Sequence, residues 1–434
     1  MNKIRKVLAF VIAIGFLAQE AIAMPTKEMK QKDLQRSTTI NQLSEQFLLS
    51  VLNREGLDNA MVSSVSLYYA LSILEGGAAG DSAELLRTLL VRPPGLKVSD
   101  VASVLEDVLV SSDSGRPGMG MFRLANSVWS TNGATNNQPF VFSEQFKTDS
   151  QNFYGASAYS IDFKVPGAAQ AMNGWANDAT NGLIPEVIDD FTLQTLEWVI
   201  MNAAYFEGSW GTHMQRIMKN EQYLFTMLDG TQQQIESIGT RNYKSRVLDR
   251  EDGSIAFGLP FIGGKYSLIV YAPPENEADL KHWLLEEGVT GMSEVVAQVL
   301  ENRSKTYNLF VQLPIFSFSD EVKMLAGSEV ASDLGLSYLF SEKANFNRMI
   351  DFEKSLPADK ETKVGIIKQD TKIELDEKGI RAAAVSLIGG MVKTTTVLRP
   401  EPRREIIVDR PFVFAIVENR SQAMLFNGML VQPE

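Results

Sequence analysis

The segment EKGIRAAAVSLIGGMVKTTTVLRPEPRR, residues 377–404, separates two strand-like runs of the chain. Its first half is rich in small uncharged residues, including the alanines at 382–384, which could lie exposed or enter a β-sheet at low steric cost. Its second half contains Pro400, Pro402 and three arginines, which favour an exposed loop over 394–404. An exposed loop with isolated lysines and arginines is open to trypsin-like proteases. Composition alone also allows an ordinary surface linker.

The composition excludes several classes of function. The chain has 434 residues, is 44% hydrophobic and carries a formal net charge of −12, so a nucleic-acid partner is not expected. It has no cysteine and only two histidines, His213 and His282, which leaves few members for a metal site or for thiol or Ser-His catalysis. No nucleophile-elbow, zinc-protease or phosphate-loop motif is present. We therefore predict no cofactor and no metal, and we expect no enzymatic activity, although a pair of carboxylates needs no motif and keeps an enzyme open.

The N-terminus has the pattern of a secretory signal. Lys3, Arg5 and Lys6 precede an apolar run at 7–17, and small residues follow, which predicts a cleaved signal peptide over 1–23. A membrane anchor is the alternative, but the run is short for a bilayer span. We expect a secreted or periplasmic protein without membrane attachment after cleavage, and a flexible polar tail over 24–38. A short basic signal without disulfides is compatible with a bacterium.

Apolar periodicity predicts a mixture of helices and strands. Predicted helices cover 40–52, 63–74, 143–154, 173–181, 276–300 and 323–334. Predicted strands cover 122–129, 157–163, 198–206, 257–260, 266–273, 307–318, 364–376, 411–417 and 423–431. Because helices and strands follow one another without a βαβ repeat, the α+β class with large antiparallel or mixed sheets is favoured.

Two predicted elements carry polar residues at buried positions. Ser63, Ser64 and Ser66 begin a helix that is apolar on all sides, and Asn202 lies in the middle of an apolar strand. Buried polar groups need hydrogen-bond partners. For Asn202, bonding to the neighbouring backbone is the simple interpretation, and the serines must find polar partners elsewhere in the fold.

Seven segments in order along the chain resemble the serpin family, and the resemblance covers about 40–433. The segments are 59–90, NGWANDATNGLI at 173–184, NAAYFEGSW at 202–210, LPFIGGKYSLIVYAP at 259–273, LPIFSF at 313–318, DEKGIRAAA at 376–384 and RPFVFAIVENRSQAMLFNGMLVQP at 410–433. The resemblance implies one large α+β domain over 39–434, with three β-sheets and about nine helices.

The resemblance also implies a reactive-centre loop over about 377–409. Its hinge would consist of Glu377, Gly379, Ile380, Ala382, Ala383 and Ala384. A target protease would cut the loop and form an ester with it, and the freed hinge would enter the largest sheet as a new strand, dragging the protease along.

A strand alternates its side chains between two faces. Ala382, Ala384 and Ser386 would therefore face one side of the sheet. Arg381, Ala383, Val385 and Leu387 would face the other side.

Further roles follow from the resemblance residue by residue. Ser63, Ser66 and Asn202 match a polar gating cluster, the shutter, beneath the point where the sheet opens. Gln369 stands where a histidine is usual, and an amide can still bridge such a cluster because it both donates and accepts hydrogen bonds.

The family's spacing from Gly379 places the scissile bond between Lys393 and Thr394. A lysine there suits the acidic specificity pocket of trypsin-like serine proteases. Counting back from Arg410 instead lands near 398–400, because the loop is longer than usual on that side. We therefore predict a monomeric suicide inhibitor of a trypsin-like serine protease.

Three features depart from the family pattern. Ile380 replaces a small residue at the first inserting position, Arg381 follows it, and Gly389 with Gly390 would form poor strand. They leave a second function open, a non-inhibitory binding or carrier protein. A hydrolase that acts through carboxylates is a third alternative, supported only by Asp and Glu residues that belong to no recognisable motif.

Overall fold

The computed structural model describes residues 27–52, 57–90, 118–133, 139–219, 223–301, 305–355, 362–380 and 402–433. These residues form nine α-helices, one π-helical turn and two 3₁₀ turns. The α-helices are α1 (Lys27–Leu52), α2 (Ser64–Gly77), α3 (Gly80–Leu90), α4 (Glu144–Tyr154), α5 (Ala168–Ala179), α6 (Asp190–Leu193), α7 (Leu280–Trp283), α8 (Met292–Leu300) and α9 (Glu329–Asp333). Leu284–Val289 is the π-helical turn, and Ser337–Phe340 and Asn347–Met349 are the 3₁₀ turns.

The same residues form seventeen strands. The strands are β1 (Ala60–Val62), β2 (Met121–Thr131), β3 (Ser157–Ile161), β4 (Trp198–Ser209), β5 (Gln215–Ile217), β6 (Leu224–Thr226), β7 (Gln232–Gln234), β8 (Ser237–Asp249), β9 (Ile255–Pro260), β10 (Tyr266–Ala272), β11 (Lys305–Pro314), β12 (Phe316–Met324), β13 (Ile367–Leu375), β14 (Gly379–Ile380), β15 (Arg403–Ile407), β16 (Phe412–Glu418) and β17 (Met424–Leu430).

The described residues form three β-sheets, as the resemblance implies. The six-stranded sheet has the order β12-β13-β14-β4-β2-β3. The nine-stranded sheet has the order β1-β17-β16-β10-β9-β8-β11-β15, with β5 added beside β8, and β6 pairs with β7 in a small ribbon. Parallel and antiparallel neighbours occur in both larger sheets, so the fold is α+β in one domain.

The main core lies between the two large sheets and the first helices. Aromatic pairs join the sheets, for example Phe206 with Tyr266 at 5.4 Å and Phe122 with Phe426 at 6.1 Å between ring centroids. The outer face of the six-stranded sheet is covered by α5, where Met172 packs with Met201 of β4. The six-stranded sheet is therefore covered on both faces.

Local sequence signals explain several elements. Ser63 caps α2 by accepting a hydrogen bond from the amide of Ser66, and the helix is buried on nearly all sides, as predicted. The β9–β10 hairpin turns through Gly263 and Gly264, whose φ values of +90° and +66° suit glycine.

The N-terminal prediction needs correction. The flexible tail predicted over 24–38 is wrong from Lys27 onward, because α1 begins there. Ser37 is buried and donates a hydrogen bond to the Ser421 carbonyl oxygen at 2.5 Å. The run KEMKQKDLQR is polar but consists mostly of strong helix formers, so polarity alone is a poor sign of flexibility. Residues 1–23, the predicted signal, lie outside the described part of the chain.

Two further predictions differ from the structure. The helix predicted over 323–334 is shorter, because β12 continues to Met324 and only Glu329–Asp333 is helical. The loop predicted to extend to Arg404 ends earlier, because β15 begins at Arg403 and pairs parallel with β11. No helix in the described part of the chain is both long and apolar enough to cross a membrane.

Candidate functional site: a hinge above an open slot

The predicted hinge begins with a tight turn at the end of β13. The amide of Asp376 donates to the Gly379 carbonyl oxygen at 3.0 Å, and the Asp376 carboxylate accepts from the amide of Lys378 at 2.8 Å. Gly379 has φ +150°, and a Cβ there would lie 2.0 Å from the Gly208 carbonyl oxygen. Only glycine fits this position without a backbone shift.

Ile380 follows as the second residue of β14 and is only 3% exposed. β14 is antiparallel to both neighbours: Ile380 lies opposite Leu375 on one side and Gly208 on the other, and Gly379 lies opposite Ser209. The isoleucine that departs from the family pattern is therefore accommodated between two strands.

Below β14 the six-stranded sheet is open. β4 and β13 run parallel to one another because both are antiparallel to β14, and no ladder joins them directly in the described residues. We call this gap, bounded by 199–207 of β4 and 367–374 of β13, the slot. Strand β4 is therefore only half-buried at several positions, although the sequence predicted burial on both faces.

A cavity of about 330 Å³ lies between the slot and α5. The side chain of Lys368 on β13 lines this cavity. Its ammonium lies 2.7 Å from a carboxylate oxygen of Glu321 and 3.0 Å from a carboxylate oxygen of Asp370. It also donates a hydrogen bond to the Val187 carbonyl oxygen at 2.9 Å. Burial raises the pKa of the Asp370 carboxyl, although Lys368 acts in the opposite direction. Burial also acts to lower the pKa of Lys368, but its bonds to the two carboxylates outweigh this and raise it.

The inner side of the slot carries the predicted polar cluster. On the β13 side, the Gln369 amide forms a double bridge to the N-terminus of α2, accepting from the Ser63 amide and donating to the Ser63 carbonyl oxygen, each at 2.8 Å. On the β4 side, Ser66 donates to the Asn202 side-chain oxygen, and Asn202 donates to the side-chain oxygen of Asn126. A cavity of about 30 Å³ lies between the two sides, lined by Ser66, Asn202 and Gln369 among others.

The structure thus brings Ser63, Ser66, Asn202 and Gln369 together, each bonded to groups of other elements. Asn202 bonds to side chains of α2 and β2, so simple bonding to the neighbouring backbone does not describe it. Sequence reasoning missed Asn126, although an asparagine within a predicted strand is a signal of the same kind as Asn202.

Two further residues, Trp210 and Arg216, contact the turn at 376–379. The Trp210 indole donates to the Asp376 carbonyl oxygen at 2.8 Å, and its backbone amide donates to the Lys378 carbonyl oxygen at 3.1 Å. Glu377 lies 3.5 Å from the Arg216 guanidinium, which also bonds Glu236. Neither Trp210 nor Arg216 stands out from the sequence as a hinge contact.

The remaining predicted site residues are Ala382, Ala383, Ala384, Lys393 and Thr394. All of them lie outside the described residues, within 381–401.

Comparison with known proteins agrees with this architecture. Residues 38–433 match the family model described as "Serpin (serine protease inhibitor)". Serpin-Z10 of Arabidopsis thaliana is 28% identical over 391 residues, covering 86% of this chain and 92% of its own, and Serpin-Z2B of Triticum aestivum is 28% identical over 395 residues, covering 87% and 90%.

Solved structures show the same fold. Arabidopsis AtSerpin1 in its native stressed conformation has a TM-score of 0.72 at 25% identity, covering 93% of this chain and 98% of its own. A thyroxine-binding globulin in complex with thyroxine also has a TM-score of 0.72, at 17% identity, with 92% and 99% covered.

Proposed function

Because the chain belongs to the serpin family of serine protease inhibitors, we propose that it is a secreted, monomeric suicide substrate of a trypsin-like serine protease. The observation that supports this best is the hinge. Gly379 and Ile380 are already paired between β13 and β4, and the slot below them is open. Residues that follow Ile380 can therefore continue the same strand.

The proposed chemistry takes place at Lys393. The protease serine oxygen attacks the Lys393 carbonyl carbon, the bond to the Thr394 nitrogen breaks, and the serine proton passes to the departing amine. The ester then links the protease to the new C-terminus at Lys393. If the loop enters the slot before water hydrolyses the ester, the protease is displaced and deformed.

Insertion is favourable because it provides partners for slot-facing backbone groups. An unpaired backbone group that loses contact with water is costly, and each new hydrogen bond contributes about 1 kcal/mol net. A strand between β4 and β13 adds antiparallel ladders on both of its sides, where two parallel strands now lie apart. The cleaved chain should therefore be more stable than the intact chain.

Incubation with trypsin tests the proposal. We expect a complex that resists SDS and a released C-terminal fragment that begins at Thr394, identified by mass spectrometry. The matched control is Lys393→Ala, which should abolish the complex without changing the melting temperature of the intact chain. Cleavage of the loop with no covalent species would refute the inhibitory function.

Thermal melting separates this function from the carrier alternative. An inhibitor should melt at a higher temperature after cleavage, whereas a chain that does not insert its loop should not. The burial of Ile380 favours the inhibitor, because this bulky residue was one reason for considering a carrier.

A further inference from the structure

The cavity between the slot and α5 has the size of a small-molecule site. Its volume is about 330 Å³. A protein cavity of about 150 Å³ is already large enough to hold a benzene molecule, and sites for small organic ligands begin at about 300 Å³. A molecule of one or two rings can therefore fit between the helix and the sheet.

The walls of this cavity are largely apolar. Buried side chains of α5 and of β4 contribute to them, namely Met172, Ala176, Met201 and Ala203. The indole of Trp175 also lines the cavity and is only partly buried. Burying apolar surface against such walls is favourable, and an indole face attracts a cation. The walls therefore favour a ligand with an apolar body.

The lysines at the polar end of the cavity are already paired. Two carboxylates and the Val187 carbonyl oxygen accept from the Lys368 ammonium, which has three N–H donors. Lys323, which also lines the cavity, lies 2.6 Å from a carboxylate oxygen of Glu321. An anionic ligand would have to displace one of these oxygens, so the lysines do not favour it.

Acidic side chains are in excess around the cavity. Among the described residues that line it, four are acidic and two are basic, which gives a formal charge of −2: Glu186, Asp189, Glu321, Asp370, Lys323 and Lys368. Burial raises the pKa of the Asp370 carboxyl in spite of the neighbouring Lys368, so the charge of Asp370 is not fully compensated. A second cation beside Asp370 would reduce the cost of that charge.

We propose that this cavity binds a small organic cation, an amine with an apolar body of one or two rings. Its ammonium donates to the Asp370 carboxylate, and its rings lie between α5 and β4. The described residues of the intact chain form this site. It therefore depends neither on cleavage of the loop nor on inhibition of a protease, and it is a binding function beyond the proposed one.

Three probes with the same phenyl ring test the preference for a cation. They are phenethylamine, which is protonated at neutral pH, the neutral phenethyl alcohol and the anionic hydrocinnamate. Isothermal titration calorimetry on the intact chain should show that the alcohol binds several-fold more weakly than the amine, and hydrocinnamate weaker by about tenfold or more. The melting temperature should rise with the concentration of the amine, because the amine binds the folded chain.

Two substitutions locate the site. Asp370→Asn removes the proposed charge partner, so it should weaken binding of phenethylamine about tenfold and leave binding of phenethyl alcohol nearly unchanged. Val199 is half-buried on β4 and lines the cavity. Val199→Phe should fill part of the cavity and weaken binding of both probes. Asp351→Asn is the matched control, because this carboxylate does not line the cavity, and it should leave binding unchanged.

Three results would overturn the inference. The first is that phenethylamine does not bind at millimolar concentration. The second is that hydrocinnamate binds as well as phenethylamine or better. The third is that Asp370→Asn and Val199→Phe both leave binding of phenethylamine unchanged. The inhibitory function is tested by the complex with trypsin, so neither result decides the other.

Discussion

Asn427 is a buried side chain that opposes the stability of the intact fold. It is fully buried in β17, and neither its amide nitrogen nor its side-chain oxygen has a hydrogen-bond partner in the part of the chain that the structure describes. A buried polar group without a partner costs about 1–3 kcal/mol. In a fold that we propose to be metastable, such a residue is a source of stored free energy.

We expect Asn427→Leu to raise the free energy of unfolding of the intact chain by about 1–3 kcal/mol, because it removes this cost. Denaturant titration of the intact protein measures the change. The matched control is Asn126→Leu, which should lower the stability, because the Asn126 amide donates to the Tyr154 carbonyl oxygen at 2.6 Å and its oxygen accepts from Asn202. A loss of stability in Asn427→Leu would contradict the prediction.

Gly379 is required by the close approach of β14 to β4. In Gly379→Ala the new Cβ would meet the Gly208 carbonyl oxygen, so the hinge pairing should be displaced and the intact chain destabilised by more than about 1 kcal/mol. A thermal melt measures this. Gly174→Ala is the control: its Cβ meets nothing within 4 Å in α5, and it should stabilise by about 0.5–1 kcal/mol. Equal effects of the two substitutions would show that the hinge is not closely packed.

Asp370 of β13, beside the slot, makes the stability of the chain depend on pH. Its pKa is raised above the ordinary value of 3.8, so the folded chain binds this proton more tightly than the unfolded chain. The ionised carboxylate is therefore a cost at neutral pH, and the cost disappears as the pH falls through the raised pKa towards 3.8. Lys368 retains Glu321 as a partner if Asp370 is neutralised.

We expect the stability of Asp370→Asn relative to the starting chain to be most favourable at neutral pH and to decline on acidification. Denaturation midpoints from pH 7 to well below pH 3.8 test this and also cover the control. Asp351→Asn is the control of opposite sign, because the hydrogen bond from Lys354 lowers the pKa of Asp351, which stabilises the starting chain above pH 3.8 and is lost below it. A pH-independent difference for Asp370→Asn would refute the prediction.

Elements were predicted correctly from the sequence where their pattern of apolar and polar residues reflects their burial, and less well where it does not. The strands predicted over 411–417 and 423–431 are mainly apolar, and they were confirmed as Phe412–Glu418 and Met424–Leu430. The helix predicted over 323–334 was confirmed only over Glu329–Asp333, because Lys323 and Met324 continue the alternating burial of β12 although both residue types also suit a helix. Asn126 was overlooked because only the folded sheet places it opposite Asn202.

At the level of the whole molecule, sequence motifs predicted the three-sheet fold but not the state of its central sheet. The residues of β4 and β13 are equally compatible with a closed ladder and with the open slot. Only the pairing of β14 with both strands shows that they are held apart at one end. Such pairing depends on contacts between residues about 170 positions apart, which local patterns do not encode.

Hydrogen exchange of the intact and cleaved chains tests the slot across the molecule. Amides in 199–206 and 367–373 that face the slot should exchange faster in the intact chain and become protected after loop cleavage, because they gain ladder partners. The β9–β10 hairpin, which is fully paired in the intact chain, serves as the internal control and should not change. Unaltered exchange in both slot strands would show that nothing enters between them.

The short strand β14 has a kinetic consequence. Starting a new strand is ordinarily the slow step, because the chain loses conformational entropy before any strand hydrogen bonds form. Lengthening an existing strand adds contacts with each further residue. Because Gly379 and Ile380 are already paired between β4 and β13, insertion of the cleaved loop would not need to start a new strand. In the proposed mechanism, the rate at which the strand lengthens beyond Ile380 therefore decides between trapping and release of the protease, and slower lengthening would shift the outcome towards release.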